Sequence, residues 1–223
     1  MKAWNWSAGL LILIASSGAV AGAPSAPADY DTEARRHYDA RVAEFAQRVA
    51  PTGATAFLGD SLTEWADWEK LFPAIATANF GIAMDRTTGV LARIAQVRAA
   101  KPSKVVVLIG TNDLGGGRPP AETVASVERI VIALKGFMPA ERILVLAVPP
   151  RAGGYQYLNP AIEEYNRQLK TIVAGEGAEF IDSFTPFLTG GEMDSKATAD
   201  GLHFSEAGYR RLAQLIAGWV MGD

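Results

Sequence analysis

Short apolar runs alternate with helical patterns along this chain, and the alternation constrains its fold more than any other feature. The runs lie at 54–58, 75–80, 105–109, 143–148 and 179–181. Helical spacing of apolar residues marks 62–71, 87–99, 121–137, 160–174 and 205–221, and a further helix follows Asp31. Buried strands that alternate with helices are typical of parallel sheets. We therefore predict an α/β fold with a five-stranded parallel sheet covered by helices on both faces.

The N-terminus has the pattern of a secretory signal peptide. A basic start at Lys2 precedes an apolar run at 8–20 and then small residues at 19–23. We place the cut after Ala21, since a cut after Ala23 would leave Pro24 next to the scissile bond. The prediction is a signal peptide at 1–21, a flexible Pro/Ala/Ser-rich tether at 22–30, one domain at 31–223, and export to the periplasm or medium. An uncleaved anchor helix is the alternative.

Composition excludes several kinds of function. The chain carries a net charge of −3, so nothing in its charge suggests nucleic acid or an anionic membrane as a partner. It has no cysteine, which excludes disulfides, thiolate metal sites and a cysteine nucleophile. It has two histidines, too few for a multi-histidine metal site. We expect neither a metal nor a cofactor.

Ser61 stands where the first predicted strand meets a helix, in the sequence Gly59-Asp60-Ser61. A serine in such a turn is held at a fixed point, beside the free N–H groups of a helix N-terminus. This arrangement suits a nucleophile. The alternative is a simple helix cap, because Ser61 and Glu64 fit the S-x-x-E capping box.

Polar groups follow the next two strands. If the strand order is 2-1-3-4-5, Ser61, Gly81 and Asn112 meet at the carboxyl edge of the sheet, where such folds bind ligands. Two backbone N–H groups and one side-chain amide would then form an oxyanion hole. Taken singly, Gly81 could mark a strand-end turn and Asn112 an Asx turn or helix cap.

A general base is available near the C-terminus. Asp200 precedes His203 by three residues in one loop, so the carboxylate can hold one ring nitrogen while the other faces Ser61. The alternative is a surface loop in which His203 only starts a helix. His37 lies among charged residues of the first helix, and we expect it to be solvated and without a catalytic role.

These residues resemble the markers of the SGNH or GDSL hydrolases, namely Ser61, Gly81, Asn112 and His203 with Asp200 three positions earlier. Further positions resemble one branch of this family, which contains the catalytic subunits of intracellular platelet-activating-factor acetylhydrolase. These positions are the stretch 79–82, Asp85, Arg93, and the segments 149–151 and 166–169. The chain departs from that branch at Ala83 and Met84, where two glycines are usual.

The resemblance implies a flavodoxin-like three-layer α/β/α fold and metal-free ester hydrolysis. Ser61 would attack the acyl carbon, His203 would move the proton, and Asp200 would orient the imidazole. The amides of Ser61 and Gly81 and the side chain of Asn112 would hold the oxyanion.

The branch favours short acyl groups, acetyl above all, and export makes an O-acetylated carbohydrate a plausible small-ester substrate. The loops 114–120 and 151–160 would shape the alcohol side, with Tyr155 and Tyr157 either stacking on a sugar or packing internally. The alternatives are a lysophospholipase or thioesterase of the same family, or a non-catalytic carbohydrate- or lipid-binding module on the same fold.

Overall fold

The computed structural model describes residues 24–222, which contain the following regular elements. The helices are α1 (Thr32–Gln47), α2 (Ser61–Glu64), α3 (Trp68–Leu71), α4 (Thr87–Ala92), α5 (Ile94–Ala99), α6 (Thr111–Gly115), α7 (Pro120–Lys135), α8 (Asn159–Gly175) and α9 (Glu206–Met221). The strands are β1 (Thr55–Gly59), β2 (Thr77–Gly81), β3 (Lys104–Leu108), β4 (Ile143–Leu146), β5 (Glu179–Ile181), and the short pair β6 (Leu188–Thr189) and β7 (Glu192–Met193). Short 3₁₀ helices occupy Ala140–Arg142, Gly153–Leu158 and Thr185–Phe187.

The main sheet has five strands in the order β2-β1-β3-β4-β5, and all its neighbouring pairs are parallel. This confirms the predicted fold class and strand order. Gly59 at the end of β1 pairs with Gly81 on one side and Leu108 on the other. The carboxyl ends of the three strands are therefore level, and the segments that follow them share one edge of the sheet.

Strands β1, β3 and β4 are buried on both faces, and their side chains alternate between two cores. On β1, Leu58 joins the core formed with α1, α4, α5, α7 and α8, whereas Phe57 joins the core formed with α3 and α9. Phe57 stacks on Trp68 with the ring centroids 3.8 Å apart. The sheet is thus fixed from both sides, and its carboxyl edge is a rigid base for a site.

The predicted helix at 62–71 is two separate turns, α2 and α3. The Asn79 side chain donates hydrogen bonds to the carbonyl oxygens of Thr63, Glu64 and Ala66, and the indole of Trp68 donates to Thr63. These side chains satisfy the carbonyls that a continuing helix would have used, so α2 ends after one turn. The predicted helix at 87–99 is likewise interrupted, and α6 and the β6–β7 pair were not predicted.

The segment predicted as a flexible tether is partly incorporated into the fold. Ala26 and Tyr30 are buried. The Tyr30 hydroxyl accepts a hydrogen bond from the Arg86 amide at 2.7 Å and donates one to Asp85. The prediction of a free tether is therefore wrong from Ala26 onward. The predicted signal peptide lies outside the described residues, and no helix within 24–222 is long and apolar enough to cross a membrane.

Candidate active site

The turn between β1 and α2 holds Ser61 without using its hydroxyl as a cap. The residue that caps α2 is Asp60, whose carboxylate accepts the Leu62 amide at 2.9 Å. The alternative interpretation of Ser61 as the helix cap is thus wrong. Asp60 is fully buried, its Oδ2 has no hydrogen-bond partner within the described chain, and burial raises its pKa to about 8. Ser61, the candidate nucleophile, is therefore next in sequence to a carboxyl group whose neutral form is favoured by burial.

Ser61, His203 and Asp200 form a continuous hydrogen-bonded chain. Ser61 Oγ lies 3.0 Å from His203 Nε2, and His203 Nδ1 lies 2.7 Å from Asp200 Oδ2. The tautomer with its proton on Nδ1 satisfies both contacts, which leaves Nε2 free to accept the Ser61 proton. The order nucleophile, imidazole, carboxylate is that of a catalytic triad.

The loop that carries His203 is held by its own backbone. Asp200 Oδ1 accepts the amides of Leu202 and His203 at 2.9 and 2.7 Å. Burial raises the Asp200 pKa, but these bonds and the one from the imidazole outweigh it and hold the pKa below its usual value of 3.8. Gly201 has a φ of +90° and lies close to Ala152. A Cβ at position 201 would be 2.6 Å from the Ala152 carbonyl oxygen. Gly201 accepts the Ala152 amide at 2.8 Å.

The predicted oxyanion donors are only partly free. The Gly81 amide already donates to the Asn79 side chain at 2.8 Å. A Cβ at Gly81 would lie 2.2 Å from the Glu64 nitrogen, so close packing against α2 accounts for this glycine. The Met84 amide, by contrast, donates to no group in the described chain. The structure thus differs from our expectation for Gly81, and in the same segment it leaves the Met84 amide without a partner in the described chain.

Met84 has a backbone conformation that favours glycine, at one of the two positions where the chain departs from the related branch. Its φ is +66°, a left-handed conformation that is uncommon for a residue with a side chain. Asp85 follows, and its carbonyl oxygen accepts one Asn112 Nδ2 hydrogen at 2.9 Å. That bond orients the Asn112 amide and leaves its second hydrogen available, as an oxyanion donor requires.

A buried ion pair connects this loop to the ends of β1 and β2. Arg93 and Asp85 are both fully buried, with Arg93 Nη2 2.9 Å from Asp85 Oδ2. Arg93 also donates to the carbonyl oxygens of Gly59 and Phe80 at 3.0 and 2.8 Å. The buried Arg93 guanidinium thus has a hydrogen-bond acceptor on each of its three nitrogens. These bonds fix the 82–85 loop relative to the turn that carries Ser61.

Two further residues lie at the site. From the sequence, Glu64 is expected only as part of a capping box, and no pattern there singles out Trp65. The Glu64 carboxylate accepts a hydrogen bond from the Ala83 amide. Its oxygens also lie 2.8 Å from His37 Nε2 and 3.3 Å from Arg41 Nε. His37 is therefore bonded to Glu64 rather than simply solvated. The Trp65 ring lies 4.0 Å from the His203 ring, centroid to centroid, and Trp65 is 51% exposed. Only spatial contacts of α2 with α1 and the base loop identify these residues.

The two loops predicted to shape the alcohol side differ in structure. The first contains the end of α6 and exposed glycines, whereas the second forms the 3₁₀ helix Gly153–Leu158. Tyr155 and Tyr157 are exposed rather than packed internally. Arg151 is buried and donates to Thr111 Oγ1 at 2.7 Å. Within residues 24–222, no group of three acidic, histidine or cysteine side chains is placed to hold a metal ion.

Comparison with known proteins identifies the family of the chain. The model of the GDSL-like lipase/acylhydrolase family matches residues 57–211, a span that includes Ser61, Asn112 and His203. The chain belongs to this family. It is accordingly a hydrolase of carboxylic esters, and the predicted family resemblance is confirmed.

Curated relatives agree with this assignment, and solved structures share the fold. The chain is 33% identical over 172 residues to human platelet-activating factor acetylhydrolase IB subunit alpha1. This match covers 72% of each of the two chains. A GDSL-like lipase from Bacteroides thetaiotaomicron has the same fold, with a TM-score of 0.67, 20% identity and coverage of 82% and 97%. An acetylxylan esterase from Geobacillus stearothermophilus shares the fold at a TM-score of 0.62, with 18% identity and coverage of 78% and 97%.

Proposed function

We propose that this protein is an exported serine esterase that removes short acyl groups, acetyl in particular, from small hydroxyl compounds. The observation that carries the proposal is the chain of contacts from Ser61 Oγ to His203 Nε2 at 3.0 Å and from His203 Nδ1 to Asp200 at 2.7 Å. Ser61 is available for chemistry because Asp60 caps α2. The acetyl preference is supported by the name of the human relative, an acetylhydrolase.

In the proposed reaction, Ser61 Oγ attacks the acyl carbon while His203 Nε2 takes the hydroxyl proton. The tetrahedral oxyanion accepts hydrogen bonds from the amides of Ser61 and Met84 and from the side chain of Asn112. The bond to the alcohol oxygen then breaks, and His203 returns its proton to the leaving alcohol. Water repeats these steps on the acyl-enzyme, which releases the acid and restores Ser61.

Asp200 has an electrostatic role in this scheme. Its pKa is held below 3.8, so it stays a carboxylate across the range in which imidazole side chains titrate. It can therefore stabilise the imidazolium without taking the proton. Acetylated carbohydrates are a suitable substrate class, since a fold neighbour is named as an acetylxylan esterase and exported enzymes meet such esters.

The test is a comparison of aryl acetate, butyrate and octanoate hydrolysis by residues 22–223 and by a Ser61→Ala variant. We expect the highest kcat/KM on the acetate, a decline with chain length, and a loss of at least ~10⁴-fold in the variant. Rates that rise with chain length would favour the lysophospholipase or thioesterase alternative instead.

Ser205 offers a matched control, because it is a serine that does cap a helix. Its Oγ accepts the Gly208 amide at 3.1 Å at the start of α9. Ser205→Ala should lower the free energy of unfolding by about 1 kcal/mol and leave kcat/KM within about threefold. Equal activity losses in the Ser61→Ala and Ser205→Ala variants would contradict a nucleophilic role for Ser61.

A further inference from the structure

Trp65 is an exposed aromatic side chain in contact with the proposed general base. It directly follows α2, four positions after Ser61, and is 51% exposed. Its ring centroid lies 4.0 Å from that of His203, with the ring planes tilted by 42°. A large apolar side chain this exposed usually needs no explanation when it stands alone. Here, however, it adjoins the one imidazole that the reaction uses.

The position of Trp65 relative to His203 identifies which part of a substrate it would meet. In the proposed reaction, His203 Nε2 must come within hydrogen-bond distance of the leaving alcohol oxygen. The acyl carbon stays at Ser61, and the oxyanion points toward the Met84 and Asn112 donors. A ring that packs on the imidazole therefore lies on the alcohol side of the scissile bond, not on the acyl side.

The chemistry of the surrounding groups favours a cyclic polyol at this place. A flat, half-exposed indole offers an area that matches one face of a sugar ring, whose C–H groups form an apolar surface. The neighbouring loop adds exposed phenols at Tyr155 and Tyr157. That loop is joined to the base loop, because the Ala152 amide donates to the Gly201 carbonyl at 2.8 Å. The loop that carries these two phenols is thus anchored to the loop that carries His203.

We propose that Trp65 forms a subsite for the sugar ring of an acylated carbohydrate, on the leaving-alcohol side of Ser61 and His203. The proposal rests on the esterase function proposed above and adds the residue that selects the alcohol. Trp65 acts in it as a specificity determinant, through direct contact with the substrate. The competing role is purely structural, in which Trp65 only holds the His203 ring in place.

The experiment compares two acetate esters that differ only in the alcohol, a monoacetylated methyl pyranoside and ethyl acetate. The ratio of their kcat/KM values is measured for the wild type, Trp65→Ala and Trp65→Phe. We expect Trp65→Ala to lower the ratio about tenfold, mainly through a higher KM for the pyranoside, and Trp65→Phe to stay within about threefold. Ile132→Ala, at an equally exposed position on α7, should leave the ratio unchanged.

The outcomes separate the subsite from the esterase itself. If Trp65→Ala leaves the ratio unchanged, the proposed subsite is wrong. It is also wrong if Trp65→Ala lowers kcat equally on both esters and shifts the pH profile, because that result indicates a displaced His203. If the wild type hydrolyses both esters and Ser61→Ala neither, the proposed esterase function stands whatever Trp65 does. If Ser61→Ala is as active as the wild type, both proposals fail. Thermal unfolding of each variant verifies that it is folded.

Discussion

Ser61 and Asp200 stand at opposite ends of one hydrogen-bonded chain, in very different surroundings. Ser61 is 5% exposed and follows the fully buried Asp60 at the end of a central strand. The Asp200 side chain is 51% exposed and lies in a loop. Ser61, the proposed nucleophile, is held by the sheet and its two cores. The loop of His203, the proposed base, is held by local bonds within 198–204, by the backbone bond to Ala152 and by the contact of His203 with Trp65.

This difference indicates how mutations should separate into two classes. Changes at exposed side chains of the His203 loop, such as Asp200, should alter the chemistry with little effect on folding, because these side chains lie outside the two cores. Changes beneath the nucleophile turn should first lower the free energy of unfolding, because the groups there are buried and mutually bonded.

Asp200→Asn should give the largest effect and should act on activity alone. Asparagine can keep the Oδ1 bonds to the Leu202 and His203 amides, but it places an N–H₂ group opposite His203 Nδ1. The imidazole then adopts the wrong tautomer, and we expect kcat to fall roughly 10³–10⁴-fold. The free energy of unfolding should change by less than about 1 kcal/mol. A fall of less than about tenfold in kcat, measured on aryl acetate, would remove Asp200 from the triad.

Arg93→Met should give the largest loss of stability. It leaves the buried Asp85 carboxylate without its ion partner and frees the carbonyl oxygens of Gly59 and Phe80. We expect the free energy of unfolding to fall by about 3–5 kcal/mol in urea titrations. The exposed pair of Arg210 and Glu206 is the control, and its removal by Arg210→Ala should cost below about 1 kcal/mol. Similar losses in both variants would contradict the contrast between the two regions.

Asn112→Ala should affect activity through the oxyanion rather than the base. We expect kcat to fall roughly 10²-fold with KM nearly unchanged, as the loss of one oxyanion donor predicts. Asn112→Asp keeps the shape but cannot donate, so its loss should be at least as large. If Asn112→Asp retains wild-type turnover of aryl acetate, Asn112 does not donate to the oxyanion.

Asp60→Asn should give the smallest effect, one that depends on pH. The Asp60 pKa is about 8 in the folded protein against 3.8 ordinarily, so the unfolded chain releases this proton first. Wild-type stability from this group therefore declines as pH rises from about 4 to about 8. Asparagine does not titrate and can still accept the Leu62 amide. In thermal unfolding, the stability of the variant relative to the wild type should therefore be greater at pH 8 than at pH 5. A constant difference between the two pH values would contradict a neutral, buried Asp60.

The same contrast explains what the sequence could predict. The apolar run before Gly59 and its parallel neighbours predict the sheet, and the sheet brings Ser61 and Asn112 to one edge. The short spacing of Asp200 and His203 predicts their pairing, because a local loop can form it. These parts depend on periodicity and on neighbours in the chain.

The remaining parts depend on contacts between distant segments. The sequence assigns Gly81 as a donor, but its amide is taken by Asn79 and its lack of a Cβ serves packing against α2. The free amide at Met84 follows from a left-handed turn at a non-glycine residue, which sequence preference opposes. The burial of Tyr30 follows from its bond to Asp85, 55 residues away.

The central claim is that His203 activates Ser61 as the nucleophile. The most direct test is labelling with an aryl phosphonate ester, which forms a serine adduct that water does not readily release, followed by peptide mass analysis. We predict one adduct on the peptide that contains Ser61, with much slower labelling in His203→Ala and none in Ser61→Ala. Continued acetate hydrolysis after full exposure to the reagent, with Ser61 unlabelled or the adduct on another residue, would contradict the account.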